Sequence, residues 1–93
     1  MREFYVYIVT SPTRTLSTGV TNNLERRRWA HRERINPGFA SQHGCDLLVH
    51  AETFANIRDA ITREKEIKGW RRSKKFALIE RENAAWKDLS ADW

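Results

Sequence analysis

A glutamate at position 64 interrupts an otherwise apolar helical stripe, and chemistry is expected there first. Ile57, Ala60, Ile61 and Ile67 recur at helical spacing, and Glu64 falls where another core-facing residue belongs. Burying a carboxylate is costly unless a cation compensates it. A divalent metal would do so, because Mg²⁺ typically needs only one or two carboxylates, completed by water and substrate phosphate. A salt bridge to a neighbouring arginine at the stripe's edge would serve equally. Arg27 and His31, four residues apart, share one face of an earlier basic helix. A guanidinium grips two phosphate oxygens and stabilises developing charge, and a histidine one turn away relays a proton. The plainer reading of that pair is a solvated helix face. Tyr5 and Tyr7 alternate onto one side of a strand. A phenol serves as a base only where cations favour the phenolate; otherwise the two are half-buried strand aromatics.

Elements that would position these residues are legible along the chain. Phe4 to Val9 is rich in aromatic and β-branched residues and predicts a strand, followed by a turn at Ser11-Pro12-Thr13. A second strand runs from Thr15 to Thr21, and Gly19 within it hints at a close backbone approach. Asn22 with Glu25 has capping-box spacing, predicting a basic helix over 23–33 that Asn36-Pro37-Gly38 stops. Residues 39–46 form a loop, and Leu47 to Phe54 a third strand. Asn56 caps the helix carrying Glu64, Gly69 weakens its end, and Ser73 caps a last helix bearing Phe76, Ala77, Leu78 and Ile79. The order β-β-α-β-α-α predicts an α/β domain with a small three-stranded antiparallel sheet flanked by helices. Residues 1–93 form one domain.

Composition narrows the partners. A chain of 93 residues has a thin core, so large side chains such as Trp29, Trp70, Trp86 and Trp93 matter to it. The net charge of +5 and pI near 9.9 favour polyanions. Arg26, Arg27, Arg28, Arg32 and Arg34 make one positive cluster; Arg63, Lys65, Lys68, Arg71, Arg72, Lys74 and Lys75 make another. Cys45 is the only cysteine, which excludes an internal disulfide and a cysteine-based zinc site and suits a packing role. The N-terminus lacks a basic-then-apolar leader and no stretch is long enough to span a membrane, so a cytoplasmic protein is expected.

Taken in order, these pieces resemble the GIY-YIG nuclease family. Tyr5-Val6-Tyr7 matches its first motif and Ser17-Thr18-Gly19 its second; Arg27 and His31 follow at the family's spacing, Glu64 matches its later acidic residue and Asn83 its terminal asparagine. The segments Asn22 to Arg27, Asn36-Pro37-Gly38-Phe39, Arg63 to Arg71, and the ending Leu78-Ile79-Glu80 through Leu89 are similar to the small single-domain bacterial, YhbQ-like branch.

The resemblance implies endonuclease-type phosphodiester hydrolysis on DNA, related to repair or recombination. It implies one Mg²⁺ or Mn²⁺ on Glu64, weakly bound without substrate, with Arg27 stabilising the pentacovalent transition state. A tyrosine would deprotonate the attacking water, and Asn83 would support the site. Arg26, Arg28, Lys68, Arg71, Arg72, Lys74 and Lys75 are the expected phosphate contacts, giving affinity without sequence information.

The sequence departs from the family at the second motif, where its tyrosine is Ser17 and its aliphatic Thr18. In the first motif Tyr5 stands for glycine, and Ala40, Gln42 and His43 replace the branch's usual threonine, basic residue and aromatic. A serine hydroxyl is far less acidic than a phenol, so Tyr7 is left as the tyrosine base, with His31 to accept its proton. Losing a general base removes about 10²- to 10⁴-fold in rate, so weakened cleavage is expected. A catalytically lapsed nucleic-acid-binding module of the same fold is the alternative. A third reading docks Trp86, Trp93 and the C-terminal segment on a protein partner.

Overall fold

The structure, a computed structural model, describes residues 3–27 and 47–91. Strand β1 (Phe4–Thr10) is central, flanked by β2 (Leu16–Thr21) and β3 (Leu47–Phe54) in the antiparallel order β2-β1-β3. Helix α1 opens between β2 and β3, with residues 24–27 described; α2 (Ile57–Lys68) and α3 (Arg72–Glu82) follow β3. This is the expected β-β-α-β-α-α order. Val6, Ile8 and Val9 are essentially fully buried, as suits the centre of so small a sheet.

The β1–β2 hairpin turns at Ser11–Thr13, as the sequence predicts. Arg14 N–H closes the turn onto Ser11 O (2.9 Å), Ser11 Oγ accepts from Thr15 N–H (3.1 Å), and Arg14 takes a left-handed φ of 66°. The hairpin tip docks on α3 and the segment after it: Arg72 Nη2 donates to Arg14 O at 2.9 Å, and the Arg14 guanidinium lies 4.4 Å over the Trp86 ring.

The two sheet faces carry different cores because side chains alternate. Val6 and Ile8 pack with Val49, Ala60, Ile67, Leu78, Ile79 and Trp86 beneath α2 and α3. Tyr7, Val9 and Leu48 form a smaller cluster on the other face, joined by Leu24 of α1. A β-bulge lets β3 serve both faces. Ile8 pairs with His50 but Val9 pairs with Leu48, leaving Val49 as the extra residue. The following strand is thereby rephased so that His50 and Glu52 lie on the helical face, opposite Ile8 and Val6.

Three local expectations are corrected. The first helix is capped by Asn23, not Asn22: Thr21 Oγ1 accepts from Asn23 N–H (3.1 Å), and that short turn leaves Asn23 Oδ1 to accept from Arg26 N–H (3.0 Å). Helix α3 starts at Arg72 with Arg71 as its N-cap and no side-chain cap, so Ser73 already lies inside its first turn. Ile57 and Ile61 are 42 % and 40 % exposed; the core stripe of α2 is narrower than expected and rests on Ala60 and Ile67. Asn56 does cap α2, its Oδ1 accepting from Arg58 N–H at 2.7 Å.

Behind α3 the chain returns along β3. Asn83 Nδ2 donates to Val49 O (3.1 Å) and Lys87 O (2.9 Å), while its Oδ1 accepts from Lys87 N–H (2.9 Å). Leu89 N–H then donates to Leu48 O, and Leu48 N–H to Asp88 Oδ1. The backbone at the start of β3 is thus satisfied by the tail instead of being left to water.

Candidate active site

Tyr7 is the residue around which the site is built. It is 5 % exposed and sits directly opposite Gly19 in the β1–β2 register. Its ring lies across the β2 backbone at that point. A β-carbon at Gly19 would fall 2.6 Å from Tyr7 Cζ and closer still to the phenol oxygen. The close approach read from Gly19 therefore exists, and a side chain makes it.

Burial raises the Tyr7 pKa above its ordinary value of 10; the Arg27 charge pulls it down, and the Glu64 charge pushes it up. One phenol thus feels both candidate groups, the half-buried Arg27 at the start of α1 and Glu64 in the middle of α2. At neutral pH Tyr7 is a phenol, not a phenolate. The folded-state pKa lies above the unfolded one, so the stability tied to its neutral form is present below about pH 10 and lost as pH rises beyond it. Tyr5 takes no part: its hydroxyl donates to Glu3 Oε2 at 2.9 Å at the surface, and that hydrogen bond raises its pKa.

Ser17 is half-buried opposite Val9, on the same face as Tyr7 and two residues along β2 from Gly19. Glu64 is not buried in the core. Its side chain is 19 % exposed on the flank of α2, and Oε2 lies 3.3 Å from Lys68 Nζ one turn on. Among the described residues its counter-ion is a lysine, where the salt-bridge alternative anticipated an arginine. Neighbouring Arg63 serves other acids. Asn83 has all its side-chain polar groups engaged by the tail clamp described above. His31, Arg28 and Cys45, with the family positions Ala40, Gln42 and His43, lie outside the described residues.

The expected phosphate contacts divide by engagement. Arg26 and Arg71 are exposed and Lys75 half-buried. Lys68 is paired with Glu64, Arg72 is 5.0 Å over the Phe76 ring as well as bound to Arg14 O, and Lys74 Nζ lies 4.2 Å over the Trp70 ring. Part of the second basic cluster thus holds the fold together.

Sequence reasoning missed a polar chain on the helical face of the sheet. Arg63 grips Glu52 through Nε–Oε1 (2.8 Å) and Nη2–Oε2 (3.2 Å) while Nη1 binds Glu66. The buried His50 reaches Glu52 Oε2 through Nε2 at 2.8 Å. The alternation of His50 with Glu52 in β3 was the available signal, but the bulge decides which face they take. This clamp joins α2 to β3 and fixes the rotation of the helix that carries Glu64. Burial alone would raise the Glu52 carboxyl; hydrogen bonds and charge from Arg63 and His50 outweigh it and hold the pKa below the usual carboxylate value. That contribution is present above about pH 4.5 and is lost as pH falls from there through the lowered folded-state value. Glu52→Gln is expected to cost about 1–2 kcal/mol at neutral pH. The gap in Tm between wild type and variant should close on acidification, measured by circular dichroism. A gap independent of pH would show that the clamp does not act through the carboxylate charge.

Among the described residues no group of three or more His, Cys, Asp and Glu is arranged to hold a metal ion. A single accessible carboxylate already attracting a cation fits an ion whose remaining ligands are water and phosphate. No helix among the described residues is long and apolar enough to cross a membrane.

The two-motif hairpin with a tyrosine across its glycine, followed by an arginine helix and a glutamate helix, defines a class. The family model described as the GIY-YIG catalytic domain matches residues 3–77, and the chain belongs to the GIY-YIG family. Within that family its relatives are small. A UPF0213 protein from Clostridium perfringens is 41 % identical over 75 residues, covering 81 % of each chain. One from Staphylococcus haemolyticus is 35 % identical over 80 residues, covering 86 % of this chain and 98 % of the relative. The solution structure of a UPF0213 protein from Bacillus halodurans shares the fold with a TM-score of 0.60, at 24 % identity over 97 % of both chains.

Proposed function

We propose that this protein is a divalent-metal-dependent, endonuclease-type phosphodiesterase acting on DNA in a repair- or recombination-related process, slowed by Ser17. The observation that carries the reading is Tyr7, buried across Gly19 at the junction of the two motifs, its ionisation shifted by the charges of both Arg27 and Glu64. Arg27 would hold the scissile phosphate and stabilise charge on its oxygens. Glu64 would release Lys68 and hold one Mg²⁺ or Mn²⁺ ion, which when bound supplies Lewis-acid stabilisation of phosphate and leaving oxygen. Tyr7, neutral at rest, would orient the attacking water and pass its own proton to His31 as it takes one. Asn83 would act indirectly, by fixing the tail against β3.

A second reading, a binding module with lapsed catalysis, draws on the same phenol. Burial works against its ionisation, and Ser17 supplies no second tyrosine.

Plasmid, single-stranded and branched DNA incubated with Mg²⁺ or Mn²⁺ test the proposal. Metal-dependent nicking is expected in wild type and at least about 10²-fold less in Glu64→Ala. Cleavage equal in the two proteins would defeat the nuclease reading. Salt-sensitive binding without cutting would establish the second reading in its place.

A further inference from the structure

A cavity of about 250 Å³ lies between the end of α2 and the exposed side of α3, lined by Arg63, Trp70, Lys74, Ala77, Leu78 and Arg81. Lys74, Ala77, Leu78 and Arg81 fall at helical spacing on one stripe of α3, and half-buried Trp70 forms the facing wall from the turn before it. Its charge is unbalanced. Arg63 is neutralised by Glu52 and Glu66, whereas neither Lys74 nor Arg81 has a carboxylate partner among the described residues. The wall between these cations is the Trp70 indole with Leu78 and Ala77; the anchored Arg63 guanidinium lies 5.0 Å from the ring centroid, and the flexible Lys74 ammonium 4.2 Å.

We infer that this cavity is a second nucleic-acid site, which takes one unpaired nucleotide of a single strand against Trp70 with its phosphate on Lys74 and Arg81. The inference rests on the nucleic-acid reading above and adds a place and a strand preference to it. Single strands are held by aromatic platforms within positive grooves, because every base offers a flat face and every nucleotide a charge. Lys74 Nζ now lies 4.2 Å over the indole, so that face is reachable from solvent by a charged group. A base entering the cavity would move this flexible ammonium from the ring to the phosphate. An acidic peptide would satisfy the two cations but leave the indole wall without a flat partner. A duplex keeps its bases stacked and cannot present one.

Binding is measured in EDTA, so cleavage plays no part, with a fluorescent oligothymidylate of about ten nucleotides and a matched duplex. Lys74→Ala/Arg81→Ala is compared with Arg58→Ala/Lys87→Ala, an exposed pair outside both basic clusters that removes the same charge. The first pair is expected to weaken single-strand binding by about tenfold and to reduce its salt slope by about 1.4. The second is expected to change binding by less than about twofold. Photocrosslinking of 5-iodouridine-containing oligonucleotide should label the peptide holding Trp70, and Trp70→Phe, which preserves packing, should reduce that label. Equal losses in the two pairs, labelling elsewhere, or competition by polyglutamate as effective as by oligonucleotide would overturn the assignment. Binding that survives Lys74→Ala/Arg81→Ala removes only this site. A wild-type protein that binds no nucleic acid would remove the nuclease reading with it.

Discussion

Replacing Gly19 with alanine is expected to lower stability by about 1–3 kcal/mol and to cut any phosphodiesterase activity at least tenfold. The glycine backbone is not left-handed, so the demand for glycine comes from what lies above it. That is the Tyr7 ring, whose Cζ would be 2.6 Å from the new carbon. The ring has nowhere cheap to go, because it is 5 % exposed and packs with Val9, Leu48 and Leu24. Either it moves, displacing the phenol within the candidate site, or β2 moves from β1. For a domain of this size each kcal/mol lowers Tm by about 4–8 °C, which thermal melts resolve readily. A double-mutant cycle with Tyr7→Leu separates the causes. With the ring gone, Gly19→Ala should become nearly neutral for stability. A penalty that persists without the ring would place the cause in the β2 backbone.

The same pair of residues shows how far the sequence carried. Alternation and turn chemistry revealed the strands, the Ser11–Thr13 turn and the Asn56 cap, because each depends on residues a few positions apart. Gly19 could be read as a close-approach position from its place in a strand. Which group made the approach depended on the β1–β2 register, a long-range fact. The errors have the same origin. Two consecutive asparagines compete for one cap, and Thr21 decides between them through a hydrogen bond to Asn23 N–H. Ile57 and Ile61 have the period of a core stripe, yet α2 turns them outward, its orientation tied to the Arg63–Glu52 clamp. Periodicity counts apolar residues but does not show how wide a stripe the sheet covers. The bulge that sends Val49 and His50 to the helical face leaves no local mark in Leu47–Phe54 either. Glu64 and Arg27 each stood out on its own helix, but only the family pattern grouped them into one expected site, since nothing in local spacing links the two.

Ser17→Tyr is the substitution with the largest expected gain. Position 17 is half-buried on an edge strand, on the Tyr7 face, and flanks the glycine over which Tyr7 lies. Tyrosine suits such a surface, so stability should change by less than about 1 kcal/mol. The new phenol would be less enclosed than Tyr7, whose pKa burial raises. It would therefore ionise more readily within reach of a phosphate-bound cation. If a missing base is what slows this protein, single-turnover cleavage with Mn²⁺ should rise by about 10²-fold, within the 10²- to 10⁴-fold range of general-base catalysis. Ser17→Phe is the necessary companion, since it adds the ring without the hydroxyl and should gain nothing. Equal gains from both would mean that a ring at position 17 improves packing of the Tyr7 face, and the base would be sought elsewhere. A gain from tyrosine alone that Glu64→Ala abolishes would tie the hydroxyl, the carboxylate and the phosphate to one reaction.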